Sequence, residues 1–169
     1  MNAVLHAWNR ADETEALNAM LACCGARRWA SDMVALRPIE NVANLSDTAD
    51  RVWATMTEAD WLEAFACHPR IGERKAAHAE GKSVAWSQQE QSSVATAKMA
   101  LLDELTEGNA KYEEKFGFTY IVCATGKSGE EMLAILKRRL GNERAEELRE
   151  AAEQQRQIMQ IRLGKWLVE

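Results

Sequence analysis

Three residues of this chain carry side chains suited to proton transfer and anion binding. His68 lies in the stretch FACHPRIGERKA, Phe65 to Ala76, directly before Pro69. With three histidines and two prolines in the chain, this juxtaposition stands out. Proline disfavours the α conformation in the residue before it. His68 is therefore predicted where a helix ends, its ring projecting from a stiffened, extended backbone. An imidazole, with its ordinary pKa of ~6.5, gives or takes a proton near neutrality. A histidine that merely ends a helix fits the same pattern. Glu90, within WSQQEQ, is predicted in the first turn of a helix, where the dipole alone favours a carboxylate. The neighbouring Gln88, Gln89 and Gln91 read equally well as solvated helix surface. Arg162 follows Ile158 by four residues and Met159 by three, so its stem starts near an apolar face. A guanidinium there needs an anionic or carbonyl partner, or else snorkels to water.

Other chemistries find little support. His6, His68 and His78 form no H-x-x-x-H or H-E-x-x-H pattern, and no C-x-x-C occurs among Cys23, Cys24, Cys67 and Cys123. Cys67 and His68 point in opposite directions on an extended backbone. No metal site is expected from these spacings. The four thiols read as reduced and largely buried. The 21 basic and 26 acidic residues give a net charge of −5, which argues against nucleic acid as a partner. The longest apolar runs fall far short of the ~20 residues that span a membrane. The first residues show no signal peptide, and KWLVE is no peroxisomal signal. The expectation is a cytoplasmic protein.

The elements that must position these residues read as helical nearly throughout. Asp12 can cap a helix carrying Ala16, Leu17, Met20, Leu21 and Cys24, with Gly25 as its stop. A second runs from about Arg27 to Ala35. Ser46 or Asp47 begins a third with Ala49, Val52, Trp53 and Met56. Thr57 to Asp60 resembles a capping box, with Asp in place of Glu, for a helix running into His68-Pro69. Residues 69 to 82 read as a loop leading to Trp86. A long helix is predicted from about Ser87 to Leu105 on a stripe of Val94, Ala97, Leu101 and Leu105. A shorter one spans Glu107 to Phe116, stopped by Gly117. Phe118 to Ala124, FTYIVCA, has strand character but no partner strand. It is expected as a buried extended segment whose backbone groups need partners, some of which a ligand could supply. Ser128 begins a further capping box, for a helix with Met132, Leu133, Leu136 and Leu140 inward and Lys137, Arg138 and Arg139 at its end. The last helix runs from about Glu143 to Lys165. The expectation is thus an all-α, single-domain, multi-helix bundle over residues 1 to 169, with one buried extended segment near 118–124.

Four separated motifs carry a resemblance. FACHPRIGERKA, WSQQEQSSVATA, KFGFTYIVCATGKSGEEMLAILKRRLGNERAEELREA and IRLGKWL, in this order, with LACCGARRWA near the start, resemble the OHCU decarboxylase family. OHCU is 2-oxo-4-hydroxy-4-carboxy-5-ureidoimidazoline, a late intermediate between urate and allantoin. The likeness covers essentially the whole chain. It implies an all-helical, cofactor-free decarboxylase that yields (S)-allantoin, usually as a homodimer. The family's catalytic histidine falls on His68, its glutamate in S-x-x-E-Q on Glu90, and the arginine of its terminal R-L-G on Arg162. Pro69, Ser87 and Gln91 fall on substrate-binding positions. The segment after G-F, with Phe118, Tyr120, Ile121 and Val122, falls where the family gives backbone contacts to substrate. Many relatives have a different loop after H-P, and the charges of Arg70, Glu73 and Arg74 have no assigned role.

The resemblance implies that His68, oriented by Glu90, hydrogen-bonds the 4-hydroxyl and controls protonation. Two other readings stay open on the residues. One is hydrolysis of a related cyclic ureide with His68 activating water. The other is a helical interaction module without catalysis.

Overall fold

The computed structural model describes residues 1–71, 82–91 and 99–169. Among them are nine helices and no strand: α1 (Ala3–Arg10), α2 (Glu13–Cys23), α3 (Arg27–Ala35), α4 (Val42–Trp53), α5 (Glu58–Phe65), α6 (Lys82–Glu90), α7 (Met99–Phe116), α8 (Gly129–Arg139) and α9 (Arg144–Trp166). The all-α expectation holds. No helix among the described residues is long and apolar enough to cross a membrane. The chain divides into two compact units, one of Met1–Ala64 with Arg156–Glu169, the other Phe65–Gln155.

The first unit is set up by short polar caps. Asp12 Oδ1 accepts from the Glu15 amide at 2.8 Å, satisfying a donor that the first turn of α2 would leave unpaired. Asn41 does the same for α4, accepting from the Asn44 amide at 2.9 Å. This moves the start of α4 from the expected Ser46 or Asp47 to Val42. It also adds Leu45, 1% exposed, to the buried stripe of Ala49, Val52 and Trp53. At α5, the Asp60 carboxylate accepts from the Thr57 amide at 2.9 Å, which is the backward half of a capping box. Trp29, fully buried, donates its indole N–H to the Ala49 carbonyl at 3.1 Å.

The second unit departs from expectation in the bounds of its first two helices. The helices predicted over 87–105 and 107–116 are instead α6 and α7. Val94 and Ala97 lie outside the described residues, as do Gly72 to Gly81 of the expected loop. α6 begins at Lys82, so Trp86 and Ser87 sit inside it. Its buried positions, Ser83, Trp86 and Ser87, keep helical spacing, but two of the three are serines, which hid the stripe. α7 runs unbroken through Gly108. A Cβ there would meet Leu136 Cδ2 of α8 at 2.6 Å, so this glycine permits close helix approach and does not end a helix. Gly117 does end one. Its φ of 83° is a left-handed stop, with its amide donating to the Glu113 carbonyl at 2.8 Å.

Beyond Gly117 the chain is extended and buried as expected, with Phe118 and Tyr120 to Ala124 all buried. Aromatic rings surround it. Phe118 lies 5.4 Å from Phe65 and 5.7 Å from Tyr112, and Tyr112 lies 5.4 Å from Tyr120. Arg139, expected at a helix end for its dipole, is wholly buried. Its Nε donates to Glu147 Oε2 at 2.8 Å and its Nη1 to the Ile121 carbonyl at 2.5 Å. The Tyr112 hydroxyl donates to Glu147. The Tyr120 hydroxyl donates to the Met132 carbonyl at 3.0 Å.

Burial drives both phenols well above their ordinary range, with Arg139 opposing. Tyr112 and Tyr120 are the chain's two tyrosines. An unfolded phenol ionises near pH ~10, where the folded chain still holds both protons. Stability from these groups is therefore complete below that pH and falls as the pH rises above it. Ultraviolet titration should show no tyrosinate through this range until the chain unfolds, whereas the chain in denaturant should titrate normally. Early tyrosinate in the folded protein would contradict the packing of this unit.

Candidate active site

His68 follows α5, and its amide donates to the Phe65 carbonyl at 3.1 Å. The helix stops at Phe65, in keeping with the bias proline imposes on the residue before it. The turn is then pinned at successive residues. The half-buried His68 ring places Nε2 2.8 Å from Oε1 of Gln155. Pro69 is buried. Arg70 makes a two-pronged pair with Glu113 of α7, with Nε to Oε1 at 2.6 Å and Nη2 to Oε2 at 2.9 Å. The Ile71 carbonyl accepts from Asn109 of α7 at 3.2 Å. Asn109 and Glu113 are four apart, hence on one face of α7. Arg70 thus has a role the sequence did not reveal, fastening the segment that carries His68. Glu73 and Arg74 lie outside the described residues.

The extended segment shares this unit with His68. The Phe65–Phe118 ring contact joins the end of α5, three residues before the histidine, to the start of the segment. Among the described residues, no backbone–backbone hydrogen bond reaches Phe118 to Val122. Arg139 holds the Ile121 carbonyl, and the Cys123 amide donates to Gln154 Oε1 at 2.8 Å. Buried backbone left outside secondary structure must find partners elsewhere. Such a segment offers directional donors and acceptors to a ligand rich in amide groups.

Ser87 and Glu90 lie along one side of α6, and Gln91 follows directly, its amide donating to the Ser87 carbonyl at 3.1 Å. Ser87 is buried, Glu90 and Gln91 are half-buried, and Gln88 and Gln89 are exposed. Glu90 is the last residue of α6, not in a first turn as expected. The helix dipole disfavours a carboxylate at that end, so the dipole does not account for it. Arg162 belongs to the first unit. It is 3% exposed, which removes the snorkelling reading, and its Nη1 donates to the Ala22 carbonyl at 3.3 Å, near the C-terminus of α2. A cation there complements the dipole of α2. The structure therefore places His68, Pro69 and the Phe118 ring near the end of α5, with Tyr120, Ile121 and Val122 following in the same unit. It sets Ser87 and Glu90 on α6 with Gln91 directly after it, and gives Arg162 a carbonyl partner within the other unit.

Sequence reasoning missed Gln154, Gln155, Arg139 and Glu147. The glutamines carry no periodic signal, and the helix dipole alone is enough to account for Arg139 in the sequence. None of the four cysteines forms a disulfide, and Cys23, Cys24 and Cys123 are buried. Among the described residues, no group of three or more His, Cys, Asp or Glu side chains is placed to hold a metal ion.

Comparison with known proteins gives a consistent result. A family model described as OHCU decarboxylase matches residues 9–164. A uric acid degradation bifunctional protein of Arabidopsis thaliana is 36% identical over 85% of this chain, which spans 44% of that relative. A 2-oxo-4-hydroxy-4-carboxy-5-ureidoimidazoline decarboxylase of Amia calva is 33% identical over 75% of this chain and 73% of its own length. A crystal structure of OHCU decarboxylase in the presence of (S)-allantoin superposes with a TM-score of 0.76. It is 34% identical, over 88% of this chain and 96% of that one.

Replacing Gln154 with Ala removes the acceptor of the buried Cys123 amide. The expected cost is about 1–3 kcal/mol in denaturant unfolding, with faster hydrogen exchange at that amide. Unchanged exchange would show that Gln154 does not hold the segment.

Proposed function

This chain belongs to the OHCU decarboxylase family, and on that footing we propose that it converts 2-oxo-4-hydroxy-4-carboxy-5-ureidoimidazoline to (S)-allantoin in urate breakdown. The observation that carries the reading is the presence, in one unit, of a pinned imidazole and a buried backbone outside secondary structure. The substrate is a ring of amide and ureido groups with an acidic centre, and those two features suit it. Residues 1 to 169 are taken as one functional domain, since the family match runs through both units.

The reaction needs no cofactor as electron sink. The bond from C4 to the carboxylate breaks, and its electron pair forms a C4–C5 double bond while the adjacent ring C=N pair moves onto nitrogen. Carbon dioxide leaves. The ring nitrogen takes up a proton from solvent, C5 takes a proton on one face, and the 4-hydroxyl loses its proton to become the carbonyl. The protein's task is to orient the ring, stabilise the developing charge and decide the face. In this reading His68 accepts the hydrogen bond of the 4-hydroxyl and moves protons. Glu90 supplies the partner carboxylate, and Arg162 balances substrate charge. Pro69, Ser87, Gln91 and the backbone of Phe118, Tyr120, Ile121 and Val122 hold ring and ureido groups. These assignments follow the family motifs residue by residue.

Assembly as a homodimer comes from the same resemblance, and location in the cytoplasm from thiols that form no disulfide. A sedimentation mass of one chain, 19.0 kDa, would remove the homodimer.

Product handedness is the sharp readout, because OHCU also decays spontaneously to racemic allantoin. With freshly generated OHCU, the wild type should give (S)-allantoin by circular dichroism. His68→Asn should lose about 10²–10⁴ in rate, leaving largely racemic product. Full-rate, purely (S) product from that variant would overturn the role given to His68.

A further inference from the structure

We infer that Gln155 is a positioning residue for His68, holding the imidazole with its proton on Nε2 so that Nδ1 is the basic nitrogen. The inference rests on the reading of His68 given above and extends it to a residue outside the family motifs that led there. Gln155 is wholly buried, and its Oε1 stands 2.8 Å from His68 Nε2. A carboxamide oxygen has no proton to give, so the ring nitrogen is the donor. In a neutral imidazole the lone pair then lies on Nδ1, and Nδ1 is the atom that can take the substrate's hydroxyl proton.

The surroundings make a passive role for this glutamine expensive. On α9 it shares the buried set with Ala151, Ala152, Ile158 and Met159. A carboxamide in such company is unfavourable unless it is hydrogen-bonded. An aliphatic side chain would serve packing there without that cost. The preceding residue repeats the device, with Gln154 Oε1 accepting from the Cys123 amide at 2.8 Å. Two consecutive glutamines thus place one acceptor on the ring of His68 and one at the end of the extended segment. Both are anchored to a single regular helix, whose backbone fixes the spacing between them.

This differs from the orientation expected of Glu90. A carboxylate on Nε2 would favour a charged imidazolium. A neutral amide oxygen selects a tautomer without adding charge.

The test uses the full chain, uniformly ¹⁵N-labelled. The imidazole nitrogens are observed directly, and the His68 signals are identified by their loss in His68→Asn. Wild type should carry the proton on Nε2. Gln155→Glu keeps an acceptor on Nε2 and should keep the proton there, with the charged imidazolium favoured over the neutral ring. Gln155→Met keeps the length without the acceptor. It should show mixed tautomers, with kcat down by about 100-fold and KM little changed. A wild-type ring protonated on Nδ1, or an unchanged tautomer in Gln155→Met, overturns the inference. The wild-type spectrum alone decides it should the Met variant fail to fold. Mixed tautomers with undiminished kcat would uphold the contact with Gln155 while removing the role proposed for His68.

Discussion

The structure of the second unit turns on one constraint: a short run of backbone from Phe118 to Ala124 is buried without a helix or sheet to satisfy it. Every N–H and C=O taken from water must find a partner or cost stability. The fold answers at the ends and the middle. Gln154 takes the Cys123 amide, Lys127 donates to the Cys123 carbonyl at 2.7 Å, and Arg139 takes the Ile121 carbonyl. The Arg139 contact draws in a chain of dependencies. A buried guanidinium requires a carboxylate, supplied by Glu147. That carboxylate is in turn hydrogen-bonded by Tyr112 and by Asn142 at 3.1 Å. Arg139 also stacks 4.8 Å from the Tyr120 ring. A buried ion pair of this kind adds little net stability. Its value here lies in fixing where one carbonyl points.

The same logic explains the turn at His68. Proline stiffens the backbone before it, but stiffness alone does not aim a ring. Arg70 on Glu113 and the Ile71 carbonyl on Asn109 fasten the turn to one face of α7, while Gln155 sets the ring's hydrogen bond. A proton-transfer group held from several elements loses little freedom on binding substrate, which is where much catalytic advantage originates.

Much of this was legible in the sequence, wherever the signal was local. Asp12, Ser128 and the residue before Pro69 mark chain turns through their own chemistry, and the structure follows each. FTYIVCA announced a buried extended segment because β-branched and aromatic residues stood there without a partner strand. The failures share a cause. Asn41 was passed over beside the stronger-looking Ser46 and Asp47. The break expected between Leu105 and Glu107 is absent, and Gly108 within α7 serves the approach of α8. Serines at the buried positions of α6 broke an apolar pattern, and so misplaced Glu90 from the end of one helix to the start of another. Arg139, Glu147 and Gln155 are polar residues whose meaning depends on partners distant in sequence or off their own helix, and no periodicity reveals such pairs. The family motifs reached His68, Glu90 and Arg162 but not the residues that hold the first of them in place.

In the proposed reading, the backbone from Phe118 to Val122 is the surface on which the ureide rests. Hydrogen exchange of these amides, measured with and without saturating (S)-allantoin, tests it most directly. The account predicts added protection at several amides of this segment and none at the Leu5 amide, which Asn2 already caps at 3.0 Å. Unchanged exchange across Phe118 to Val122 in a protein shown to bind the ureide would contradict it.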